Sequence, residues 1–124
     1  MTEEQDNQVQ QEINRAINFL GQNKFLDAEN TCLKIIDSGD NADAYHILSS
    51  IKIYQQEFED SIRYAKKSIA INNENPGYHV TLGCAYSAKE DYESSIVAFK
   101  SAIKINNKII KEPIGSINVK KVLP

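Results

Sequence analysis

The sequence predicts an all-α fold, with three stacked helix-turn-helix repeats and six helices. Three observations carry this reading: an internal repeat of 34 residues, a 3.6-residue spacing of apolar positions, and no period-2 alternation of a strand before residue 109. When residues 42–75 are laid over 76–109, nine positions coincide, among them Leu48/Leu82, Ser61/Ser95, Ile62/Ile96, Ile69/Ile103 and Asn73/Asn107. Chance at this composition gives roughly two or three. Residues 9–41 laid over 42–74 give five coincidences, including Phe25/Phe58 and Ile36/Ile69. The first repeat is therefore more diverged and one residue shorter. The organisation read from these shifts is 1–8 as the start of the first helix, 9–41, 42–75 and 76–109 as repeats, and 110–124 as a tail.

Each helix has a local reason. Thr2 and Gln5 are spaced for a capping box at the first helix. Ile13, Ala16, Ile17 and Leu20 then share one face, and Phe25, Ala28, Cys32, Ile35 and Ile36 form the face of the second helix. Tyr45, Leu48 and Ile51 mark the third helix, and Phe58, Ile62, Ala65 and Ile69 the fourth. Asn75-Pro76 is a start signal, because Asn caps and Pro is tolerated at the first helical position. Leu82, Ala85 and Tyr86 follow on one face, and Lys89-Glu90-Asp91 make the turn. Tyr92, Ile96, Phe99, Ala102 and Ile103 continue the period, with an end expected at Asn106-Asn107.

Composition bounds the function. The chain has 124 residues, 41% hydrophobic and 25% charged, enough to bury a core without staples and too apolar for a disordered polymer. No apolar run approaches the ~20 residues of a membrane span. The opening MTEEQDNQ is acidic, unlike a secretory signal, and Cys32 and Cys84 form no disulfide framework. The expected setting is cytoplasmic, with reduced thiols. A net charge of −3 argues against bulk phosphate binding.

The third repeat carries Leu82-Gly83, Tyr86, Tyr92, Ser95, Phe99 and Ala102; the second carries Tyr45, Leu48-Ser49, Phe58, Ser61, Ala65 and Ser68; the first carries Ala16, Phe19, Phe25, Ala28, Cys32 and Ile35. In these residues the chain resembles the tetratricopeptide repeat family over about residues 9–109. The resemblance implies a short right-handed superhelix whose neighbouring repeats cover one another's apolar faces. Small residues at Ala16, Ser49 and Gly83 and at Ala28, Ser61 and Ser95 are expected to let paired helices approach closely, with Phe25, Phe58 and Tyr92 beside the turns. Lys52 stands where an aromatic is usual, and its stem is expected to pack while its ammonium reaches water.

The resemblance also implies a concave groove, lined by the first helix of each repeat, that binds a peptide or protein segment. The matching positions are Gln10, Ile13, Ile17 and Leu20, then Asp43, His46, Ser50, Ile53 and Tyr54, then Gly77, Val80, Cys84 and Ser87. The binding residues expected from this set are Ile13, Ile17, Leu20, Asp43, His46, Ser50, Tyr54, Val80, Cys84 and Ser87. A carboxylate clamp of the family's kind needs cationic donors, and Ile13 and Ile17 hold its first-repeat positions. An apolar extended segment or an amphipathic helix is the better ligand.

Other classes are disfavoured. His79 is expected at a packing position, His46 in the groove, and Cys32 in the core. No metal-ligand spacing and no glycine-rich phosphate loop appear, so neither enzyme nor cofactor is expected. RNA reading by helical repeats relies on basic surfaces, and 14 Lys+Arg against 17 Asp+Glu do not make one. The alternative is a self-assembling unit, a homo-oligomer joined through terminal repeat faces and the tail. Glu3, Glu4, Asp6 and Glu12 make one end acidic, and Lys108, Lys111, Lys120 and Lys121 make the other basic. The apolar tail either folds back over the third repeat, which needs no partner, or docks on another chain, or leads into further repeats.

Overall fold

The computed structural model describes residues 2–111. It contains six helices among the described residues: α1 (Glu3–Gly21), α2 (Phe25–Asp37), α3 (Ala42–Tyr54), α4 (Phe58–Ile71), α5 (Pro76–Ala88) and α6 (Tyr92–Lys111). Helices α1 and α2, α3 and α4, and α5 and α6 pack as hairpins; α2 lies on α3 and α4 on α5. The first helices of successive repeats also meet directly, α1 with α3 and α3 with α5. The described residues hold no strand.

Side-chain capping explains where α1, α3 and α5 start. Thr2 Oγ1 accepts from the Gln5 N–H at 3.1 Å, and Gln5 Oε1 accepts from the Thr2 N–H at 2.9 Å, completing the capping box. Asn41 and Asn75 cap α3 and α5 through their side-chain oxygens. Each hairpin turns through one residue in the left-handed region, Asn23 (φ 59°), Gln56 (φ 61°) and Glu90 (φ 70°). In each, the next N–H reaches back to a carbonyl five residues earlier, as in Glu57 N to Lys52 O at 2.8 Å.

The small residues are where close helix crossing requires them. Ala16, Ala28, Ser49 and Ser61 are wholly buried, and Gly83 and Ser95 are buried. Ser49 Oγ donates to Ser61 O at 2.7 Å and Ser61 Oγ to Ser49 O at 2.8 Å, so each hydroxyl caps the other helix's carbonyl. In the third repeat Ser95 Oγ donates to Gly83 O at 3.0 Å. A Cβ on Gly83 would lie 2.6 Å from the Phe99 ring, so the glycine is what admits Phe99. The main core gathers Ile13, Ala28, Cys32, Ile35, Tyr45, Ile47, Leu48 and Ile51. Burying a side chain such as Leu48 is worth about 1.5–3 kcal/mol.

Four expectations need correction. Helix α6 passes Asn106-Asn107 and is described as far as Lys111. Lys52 does not simply reach water. Its ammonium sits between Glu57 (2.9 Å) and Glu29 (3.3 Å). Burial works against that charge, but the hydrogen bonds the ammonium donates to Glu57 and Glu29 outweigh it and hold the pKa above its ordinary value. Tyr92 does not fill space as Phe25 does; it is exposed, because among the described residues no following helix covers it. His79 is only half-buried; the buried residues of α5 are Tyr78, Gly83 and Ala85. The expectations for the tail fall outside the described residues.

Candidate groove site

The groove positions lie on α1, α3 and α5, which follow one another across the three repeats. Along this face Ile17, Val80 and Cys84 are exposed, with Ile17 at 51% and Val80 at 43%. Leu20, Ser50, Ile53 and Ser87 are half-buried between them. The face is therefore apolar or small over most of its length, with no Lys or Arg among these residues. Ser50 Oγ donates to His46 O at 3.2 Å, so its hydroxyl is turned toward its own helix.

Two expected groove residues have other principal roles. Ile13 offers no groove surface: it is 2% exposed and belongs to the core. Helical register could not separate the groove wall from the seam between α1 and α3, and Ile13 falls on the seam. Tyr54 is 67% exposed, but its ring lies stacked on Phe25 at 5.1 Å, bridging α3 to α2.

Asp43 and His46 are brought together by partners that the sequence reading missed. Tyr78 Oη donates to Asp43 Oδ1 at 2.5 Å, and His46 Nε2 lies 2.8 Å from Thr81 Oγ1. The His46 and Tyr78 rings are 5.0 Å apart. The signal was in the repeat shift, which places Tyr78 on Ala44 and Thr81 on Ile47, a large ring and a hydroxyl where the second repeat has neither. Burial lowers the His46 pKa and Asp43 partly counters it, so the ring is held neutral. Burial and the Asp43 hydrogen bond both raise the Tyr78 phenol. Both side chains are thus engaged in joining α3 to α5.

Cys32 is buried, and desolvation, followed by Glu29, pushes its thiol up to about 12; a thiol so raised is a poor nucleophile. No group of three or more His, Cys, Asp or Glu among the described residues is placed to hold a metal. No described helix is long and apolar enough to cross a membrane.

Helix pairs in register with small residues at their crossings define an α-solenoid of helical hairpins. The tetratricopeptide repeat model matches residues 42–75 and 76–109, and the chain belongs to that family of protein-interaction scaffolds. No curated protein matches it. Among solved structures it is similar to MamA, with 23% identity and a TM-score of 0.73 over 86% of this chain and 63% of that one. A second MamA structure gives 22%, 0.73, 86% and 59%. The chain thus spans about three-fifths of the MamA chains it matches. It is also similar to the Yersinia enterocolitica type III secretion translocator chaperone SycD, described as an alternative dimer, with 13% identity and a TM-score of 0.75 over 94% of this chain and 86% of that one. At these identities the likeness is one of fold.

Proposed function

We propose that the chain is a non-catalytic adaptor that binds a peptide segment of a partner protein in the groove of α1, α3 and α5. The observation that carries this is the exposed row Ile17, Val80 and Cys84, with Leu20, Ser50 and Ser87 between them. These side chains present apolar and small surface without a cation, which suits an extended apolar segment or the apolar face of a helix. A carboxylate terminus would find no charge-assisted donor there. Asp43, His46 and Tyr54 stand beside this row, as polar and aromatic edges for the ligand.

The test pairs wild type with the Ile17→Glu, Ser50→Arg double variant. Proteins captured from source-cell lysate are compared, and the captured segment is remade as a peptide for calorimetry. The expected result is a peptide that binds wild type and fails to bind the variant, whose circular dichroism is unchanged. Equal binding to both would reject the groove.

A second reading is self-assembly through terminal faces. Tyr92, Ile96 and Ile103 are exposed on α6, beside Lys100 and Lys104, while α1 opens with Glu3, Glu4 and Asp6. Such a head-to-tail contact is heterologous and does not close on itself unless its rotation makes a ring. It requires a native mass that grows with concentration.

A further inference from the structure

On the side of α5 away from the groove, a cleft of about 370 Å³ runs between α4 and α6. Its walls include Lys66 and Ile69 of α4, Leu82 and Tyr86 of α5, and Val97 and Ala98 of α6. That volume falls in the range of sites that hold a ligand or a peptide side chain.

The same place one repeat earlier is filled. Tyr64 stands 34 residues before Ala98. Its ring packs against the core, stacked on Tyr45 with 6.1 Å between centroids and 26° between planes. Arg63 lies over Tyr64 at 4.8 Å, and Lys67 over Tyr45 at 5.3 Å. The 34-residue shift turns Tyr45 into His79, Arg63 into Val97, Tyr64 into Ala98 and Lys67 into Ser101. The plug, the ring it stacks on and both covering cations are replaced together. The floor is kept, because Leu82 stands where Leu48 does.

We propose that this cleft docks a tyrosine side chain of a partner protein, carried in an acidic segment. The chain's own second repeat shows the ring chemistry that such a site accepts. The acidic flank follows from the charge at the rim. Lys66 lines the cleft, its ammonium 5.9 Å from the Tyr86 ring centre, and exposed Lys104 lies one turn beyond Ser101 on α6. Glu74, toward that end, is paired with Lys108 at 3.9 Å. Asp91 holds Ser94 at the α6 lip, so an incoming carboxylate is directed to the Lys66 side of the cleft, where the phenol ring also gains a cation–π neighbour. Buried aromatic anchors of this kind dominate many protein interfaces. The site lies on another face of α5 from Val80 and Cys84, so it operates independently of the groove.

The probe is an acetylated, amidated pentapeptide, Glu-Asp-Tyr-Glu-Asp, with Glu-Asp-Ala-Glu-Asp as control, titrated into the full chain with methyl NMR as readout. A single anchor implies a Kd on the order of 1 mM. The methyl signals of Ala98, Leu82 and Val97 should move saturably with the tyrosine peptide and at least about tenfold more weakly with the alanine peptide. Ala98→Tyr, which supplies the missing ring from within, should abolish the response while leaving circular dichroism intact and Tm equal or higher. Lys66→Glu should weaken binding without filling the cleft. The wild-type comparison of the two peptides stands even where a variant fails to fold. The proposal is overturned by equal response to both peptides, by no response at millimolar concentration, or by movement at Val80 in place of Ala98. It is also overturned if the cleft signals shift with protein concentration alone, since a second copy would then be the occupant.

Discussion

Where the first repeat meets the second, Ile13 of α1 and Ile47 of α3 are buried in one apolar core. Where the second meets the third, the same repeat positions carry His46 and Thr81, joined at 2.8 Å, beside the Asp43–Tyr78 hydrogen bond. On the other side of the stack the contrast recurs, with Tyr64 plugging one cleft and Ala98 leaving the next open. One backbone plan thus supports an apolar junction and a polar one. Apolar seams stabilise by area and tolerate shape changes within limits; polar seams stabilise only while every partner is present.

The largest expected effect sharpens this contrast in the cores. Leu48→Ala, at a wholly buried site, should cost about 2–5 kcal/mol. Leu82→Ala, at the half-buried counterpart, should cost roughly half as much. Urea unfolding of both variants measures the difference, and equal losses would mean that the two junctions are equally packed.

Next come the polar partners. Thr81→Val leaves the His46 nitrogen without its hydroxyl partner and should cost about 1–3 kcal/mol. The double variant His46→Ile, Thr81→Ile, which copies the first junction's side-chain chemistry, should recover most of that loss. A double that is no better than the single would show that the polar junction cannot be converted.

A smaller change is expected at the third hairpin. Gly83→Ala gains about 1 kcal/mol of helix propensity but drives a Cβ into the Phe99 ring. Overpacking costs about 1–3 kcal/mol, so the net loss should be about 1 kcal/mol. Adding Phe99→Leu to Gly83→Ala should reduce it, as read by thermal melts of the two variants.

The smallest effect is in pH. His46 is held neutral in the folded chain, mainly by burial, so its folded pKa lies below the ordinary value of 6.5. The unfolded chain then binds more protons than the folded one between these two values. The stability present above about pH 6.5 is therefore lost as pH falls toward the folded pKa. The His46→Ile, Thr81→Ile double variant should lack this component of the acid-side decline, which a set of melts between pH 7.5 and pH 5 would reveal.

Much of the fold was legible because it depends on spacing. The shift by 34 paired Leu48 with Leu82 and Ser61 with Ser95, and the resemblance to the tetratricopeptide repeat then implied the small residues at the crossings. The groove was less legible. Ile17, Val80 and Cys84 are on the surface as their register implies, whereas Ile13 is buried by a neighbour whose position no local pattern reports. Lys52 shows the same limit: its stem could be read from the sequence, but its two carboxylate partners come from α2 and from the turn before α4.

The sequence by itself determined the helices, their order and their pairing, because capping, 3.6-residue periodicity and the 34-residue period are local or repeated properties. Only the tertiary structure decided which side chains face a neighbour across a seam. Asp43 finds Tyr78, His46 finds Thr81, and Ala98 opens a cleft that Tyr64 closes one repeat earlier. Each of these depends on how far apart two helices stand and how they are rotated. Those quantities are set by the packing of the whole stack, not by any one segment.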